Sequence, residues 1–94
     1  MSFYIKSQDF SFPFSPGINI VGRQKNGDIL IPDKHISRQH LSIDVLSDGT
    51  LTLMDLGSSN GLFVKGRKVS NAILRVGESF TIGTVTFLIE ETAN

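Results

Sequence analysis

Apolar and polar side chains alternate with a period of two over most of this chain, and that pattern restricts it to extended structure. Leu41, Ile43 and Val45 alternate with Ser42, Asp44 and Leu46, and Leu51, Leu53 and Asp55 alternate with Thr52, Met54 and Leu56. Phe80, Ile82 and Thr84 alternate with Thr81, Gly83 and Val85. Successive side chains of a strand point to opposite faces, so each run offers one set to a core and the other to the surface. No window carries a helical stripe, and the chain is expected to hold no helix beyond a short turn.

Turn residues separate the runs. Ser47-Asp48-Gly49 and Lys65-Gly66 read as hairpin turns, Pro16-Gly17 turns the chain after its N-terminal strands, and Gly83 marks a later corner or bulge. Strands are expected at 3–7, 10–14, 18–22, 28–30, 40–46, 50–56, 62–64, 67–70 and 79–91, the last broken near Gly83. Short strands at this spacing point to an all-β sandwich or barrel.

Ninety-four residues make one domain, expected to span 1–94, with a limited core. Nine basic and nine acidic residues cancel, which disfavours nucleic acid as a partner. Without cysteine there is no disulfide, no thiolate nucleophile and no thiolate metal site, and two histidines are too few for a histidine-rich one. Neither a metal nor any other cofactor is expected. The apolar runs are far too short for a membrane span, and Met-Ser-Phe-Tyr-Ile-Lys lacks the character of a signal peptide. A monomer in the cytoplasm, without a membrane partner, is the resulting expectation.

Two polar stretches, 22–39 and 57–61, interrupt the alternation, and loops held by a rigid scaffold are where function concentrates. Arg23 follows a glycine at a strand end, so its planar guanidinium can leave the sheet edge and meet a phosphate. Ser37 and Ser59 offer uncharged hydroxyls, and Asn60 offers both a donor and an acceptor, as reading a peptide backbone requires. Gly57 and Gly61 permit positive φ and close backbone approach. Between Arg23 and His40 four basic residues (Arg23, Lys25, Lys34, Arg38) face two acidic ones (Asp28, Asp33), so the neutral total hides a mildly positive loop region. Such a region steers an anionic ligand.

Gly22-Arg23, Ser37-x-x-His40 and Asp55-Leu-Gly-Ser-Ser-Asn-Gly61 resemble the signature blocks of forkhead-associated domains, in that chain order. Val64-Lys-Gly66-x-x-Val69 and Leu74-x-x-Gly77-Glu-x-Phe80-x-Ile82-Gly83 are similar to the family's C-terminal half. The resemblance covers residues 18–89. It implies a β-sandwich of about eleven strands whose loops, at one end, bind phosphothreonine peptides. Arg23 and Ser37 would then hold the phosphate. Ser59 would line the phosphothreonine pocket, Asn60 would bond the peptide main chain, and Arg38 would lie near the phosphate or that backbone. Gly22 and His40, with Gly57 and Gly61, would be structural, His40 buttressing the loop that carries Ser37. Two positions depart from the family: Ser59 stands where threonine is frequent, and Lys65, in a hairpin, where asparagine is.

Ser37, His40 and Asp55 also supply the residue types of a nucleophilic triad. Such a triad needs mutual geometry and an oxyanion site, and so small a sandwich offers little depth to exclude water. No catalytic residue is expected. A different alternative is an assembly module of the same fold that binds an unphosphorylated partner, through Phe10, Phe12 and Phe14 on one face of an N-terminal strand.

Overall fold

The computed structural model describes residues 2–24 and 28–92. Lys25, counted above in the positive loop region, lies outside them. The described residues form eleven strands and no helix. In chain order these are β1 (Ser2–Lys6), β2 (Ser11–Pro13), β3 (Gly17–Gly22), β4 (Ile29–Leu30), β5 (Leu41–Val45) and β6 (Leu51–Asp55). They continue as β7 (Leu62–Val64), β8 (Arg67–Val69), β9 (Asn71–Leu74), β10 (Ser79–Ile82) and β11 (Val85–Thr92).

Two sheets face each other. One has the order β2-β1-β11-β10-β7-β8 and the other β4-β3-β5-β6-β9. Every pairing is antiparallel except β3 with β4. The alternation read from the sequence is the alternation of burial: Leu41, Ile43, Leu51 and Leu53 are fully buried, and from the facing sheet come Ile5, Leu62, Ile82, Phe87 and Ile89. Phe80 and Phe87 stack with ring centroids 5.6 Å apart. Each such side chain contributes about 1.5–3 kcal/mol by leaving water.

Phe10, Phe12 and Phe14 are half-buried against this core, and the rings of Phe10 and Phe12 stack at 5.8 Å. The segment on which the assembly alternative rested is therefore largely committed to the protein's own packing.

All nine expected segments appear, with ends moved by a residue or so, eight as single strands and the last, broken at Gly83, as β10 and β11. The strand β9 was not foreseen. Its exposed residues include Ile73, 69% accessible, while its only buried side chain is Leu74, so polarity does not alternate along it.

The topology gathers residues 23–24 and the segments 31–40, 56–61 and 83–84 at the ends of β3, β5, β6, β7 and β10. Backbone bonds align this end: His40 N–H donates to the Val21 carbonyl at 2.9 Å, and Leu56 N–H to the His40 carbonyl at 3.0 Å. The segment 31–40, polar in composition, is nevertheless anchored by Ile31 and Ile36, both buried.

Candidate functional site

The segment after β3 and the segment before β5 are laced together by main chain. Arg23 N–H donates to the Ser37 carbonyl and Gln24 N–H to the Arg38 carbonyl, each at 3.0 Å. Gly22 makes this approach possible, because a Cβ there would lie 2.1 Å from the Arg38 carbonyl oxygen. No larger residue fits without moving backbone. Arg23 is exposed, yet its Nε donates to the Ile36 carbonyl at 3.1 Å. That bond uses one of five guanidinium donors and leaves the four terminal N–H groups for a ligand.

His40 is fully buried beneath these segments. Its Nδ1 accepts the backbone N–H of Ser37 at 3.1 Å, so the ring carries its hydrogen on Nε2, which donates to the Gly61 carbonyl at 2.7 Å. One imidazole thus joins the segment of Ser37 to that of Ser59 and Asn60. The triad geometry is not formed. Ser37 meets the ring through its backbone N–H, its Oγ is bonded to the Ser59 N–H at 3.0 Å, and Nε2 is directed at Gly61 with Asp55 Oδ1 4.0 Å away.

The segment 56–61 is built by two residues whose part sequence reasoning missed, Asp55 and Ser58. Asp55 Oδ2 accepts the N–H groups of Gly57 and Ser58 at 3.2 Å, and Oδ1 accepts the Ser58 hydroxyl at 2.5 Å. Ser58 Oγ in turn accepts the Gly61 N–H at 2.9 Å. Gly57 and Gly61 adopt φ of 77° and 85°, the left-handed region that glycine enters without steric cost. The signal was present: an aspartate followed two residues later by a glycine and three later by a serine is the pattern of a side chain bonding its own turn.

Ser59 and Asn60 then emerge exposed at the tip. The Asn60 side-chain amide donates to the His35 carbonyl at 2.6 Å, which leaves one amide hydrogen and its carbonyl oxygen for a peptide. His35 is itself held by Asp33, whose Oδ1 accepts the His35 N–H at 2.8 Å. The Thr84 hydroxyl donates to Asp33 Oδ2 at 3.1 Å, tying in the β10–β11 turn. Chiefly through the His35 N–H, these bonds hold the Asp33 carboxyl below its usual value, against a smaller opposing effect of desolvation.

Arg23, Ser37, Ser59 and Asn60 thus converge from three segments on one end of the sandwich. Arg38 is exposed beside them, its carbonyl used by Gln24. The carboxylates nearby, Asp33 and Asp55, are occupied by loop donors, so the free surface of the cluster presents donors and positive charge. Three surface depressions, of about 470, 510 and 400 Å³, are lined by none of Arg23, Ser37, Ser59 and Asn60, although Asp33 and Thr84 line the first. Such an arrangement suits a ligand laid across loop tips. Among the described residues no group of three or more His, Asp or Glu is placed to hold a metal, and no helix is long and apolar enough to cross a membrane.

Comparison with known proteins bears on the fold. A family model described as the FHA domain matches residues 19–83. The ABC transporter ATP-binding/permease protein Rv1747 of Mycobacterium tuberculosis is 36% identical over 76 residues, which is 81% of this chain and 9% of that protein. The chain therefore spans a small part of that relative's length. The crystal structure of the FHA domain of CT664 from Chlamydia trachomatis superposes with a TM-score of 0.89 at 33% identity, covering 99% of this chain and 100% of that one. An FHA domain solved in a study of phosphothreonine-dependent interactions superposes with a TM-score of 0.88 at 26% identity, covering 100% of both chains.

Proposed function

The chain belongs to the forkhead-associated (FHA) family, and from that membership we propose that it is a phosphothreonine-dependent peptide-binding module acting in signalling or regulated assembly. Arg23 and Ser37 hold the phosphate, Ser59 lines the phosphothreonine pocket, Asn60 bonds the peptide main chain and Arg38 lies beside the phosphate. Gly22, His40, Gly57 and Gly61 shape the loops that carry them. The observation that carries this reading is the guanidinium of Arg23, oriented by the Ile36 carbonyl through Nε alone, beside the segment whose Ser37 hydroxyl accepts the Ser59 N–H and keeps its own hydrogen to donate. A phosphate dianion offers what such donors lack, and charge-assisted bonds to it are the strong ones.

The module is one domain over 1–94. It acts by binding, without a catalytic step or a cofactor: Ser37 Oγ is bonded to the Ser59 N–H, and the His40 ring meets Ser37 at the backbone N–H. It acts as a monomer in the cytoplasm on a phosphothreonine-containing protein, and not on nucleic acid or membrane. The solved FHA domain studied for phosphothreonine-dependent interactions supports the ligand class.

A phosphothreonine peptide library and its unphosphorylated twin, titrated calorimetrically against wild type and Arg23→Ala, test this. Wild type should bind only the phosphorylated set, and Arg23→Ala should bind it about ten- to a hundred-fold more weakly, as the loss of an arginine–phosphate contact worth roughly 1.5–3 kcal/mol requires. A folded Arg23→Ala protein that binds as wild type does would place the phosphate elsewhere. Equal binding of both libraries by wild type would favour the assembly module.

A further inference from the structure

Gly61 is crossed by a side chain that the site described so far does not use. An ideal Cβ on Gly61 would lie 2.7 Å from Lys68 Cε, 3.3 Å from Cδ and 3.4 Å from Cγ. The stem of Lys68 therefore runs over the backbone of Gly61, the residue directly after Asn60. Lys68 sits on β8, an edge strand, opposite Phe63 of β7. A lysine whose methylenes lie along the protein keeps its ammonium in water, and Lys68 is exposed. Among the described residues no carboxylate lies within 4.0 Å of it. The carboxylates of the loop cluster are committed, Asp55 to Gly57 and Ser58, and Asp33 to His35 and Thr84.

We propose that Lys68 forms a carboxylate subsite beside the phosphate pocket, selecting phosphothreonine peptides that carry Asp or Glu next to the stretch of main chain read by Asn60. The inference rests on the phosphopeptide reading above and deepens it by naming a second chemical feature of the ligand. Its physical basis is placement. The stem is laid across Gly61, the residue after the peptide-reading Asn60, so the ammonium is within a lysine side chain's reach of a peptide bound there. An exposed ion pair of this kind changes affinity about two- to five-fold, and salt weakens it.

The experiment uses a degenerate peptide library with phosphothreonine fixed and each flanking position set in turn to Asp, Glu, Asn or Gln, bound to wild type and to Lys68→Met. Methionine keeps an apolar stem over Gly61 and removes the charge. Wild type should favour Asp and Glu over their amides about two- to five-fold at one flanking position. Lys68→Met should lose that preference alone while still requiring the phosphate, with an unchanged thermal midpoint. An identical profile in both proteins, or a uniform loss of affinity without a change of profile, overturns the subsite, the second by assigning Lys68 to the phosphate. If wild type binds phosphorylated and unphosphorylated libraries alike, the phosphopeptide reading itself fails and the subsite with it.

Discussion

The backbone N–H of Ser59 is bonded to the hydroxyl oxygen of Ser37 at 3.0 Å, across 22 positions of chain. This bond uses one of the two lone pairs of the Ser37 hydroxyl and leaves its hydrogen free to turn outward and donate to an anion. It also clasps the segment before β5 to the segment after β6. Ser37 is accordingly both a contact and a strut.

Ser37→Ala should therefore weaken phosphopeptide binding more than the loss of a single neutral hydrogen bond. A bond from a hydroxyl to a charged phosphate is worth roughly 1.5–3 kcal/mol, so about ten-fold or more is expected. The Ser59 amide loses its partner in the same variant, and its hydrogen exchange should accelerate while exchange in β5 and β6 stays slow. Protection of Ser59 unchanged from wild type would show that the clasp is not formed in solution.

His40 makes the opposite kind of prediction, one about folding. His40→Ala strands the Ser37 N–H and the Gly61 carbonyl beneath the loops and opens a cavity. An unsatisfied buried polar group costs about 1–3 kcal/mol, so two of them should lower unfolding free energy by about 2–5 kcal/mol in urea. A loss below about 1 kcal/mol would mean that water or a local shift replaces the imidazole.

The strands were legible because burial follows the period-two pattern at Leu41, Ile43, Leu51 and Leu53, where one sheet face is dry and the other wet. The strand β9 was not, because Ile73 points outward and Ala72 is only half-buried, so hydropathy and burial part company there. The candidate ligand residues were legible as types and as ordered blocks. How they are held was less so. Nothing in the composition of 31–40 marks Ile31 and Ile36 as core anchors, and the bonds joining His40 to Gly61 and Asn60 to His35 span 21 and 25 positions. Long-range pairings of this kind are fixed by topology, which local pattern does not reveal. The Asp55–Ser58 network, by contrast, is local, and its spacing could have been read.

Lys65 is a place where the sequence departs from the turn it occupies. Its φ is 53°, and it is the sole non-glycine with positive φ among the described residues. The left-handed region costs an ordinary L-residue about 1–2 kcal/mol, and asparagine tolerates it better because its short side chain bonds locally. Lys65→Asn should raise unfolding free energy by about 0.5–1 kcal/mol and leave phosphopeptide affinity unchanged, since the turn lies beyond β7 from the ligand cluster. Equilibrium denaturation of the two proteins decides it, and a destabilised Lys65→Asn would show that the lysine makes a compensating contact.

Acid acts on this end of the sandwich through Asp33. Asp33 accepts the N–H of His35 and the hydroxyl of Thr84, and the first of these does most to hold its carboxyl below the ordinary value of 3.8. The sign follows from linkage. A carboxyl with a depressed value in the folded state contributes stability that is fully present above 3.8, the unfolded value. That contribution shrinks as the pH falls below 3.8 and is lost once the pH has passed through the depressed folded value. Asp48, held down chiefly by the Thr50 N–H, titrates in the same sense, so the wild-type curve alone would mix the two. The difference between wild type and Asp33→Asn separates them. It should favour wild type at neutral pH, remain level down to about pH 4, and close steadily at lower pH. Hydrogen exchange at the His35 amide should follow the same curve, because that donor loses its charged acceptor. A difference that stays constant from neutral pH to well below 3.8 would mean that Asp33 carries no more favourable interaction folded than unfolded, and its bonds to His35 and Thr84 would then contribute nothing to the hold on the segment that bears Ser37.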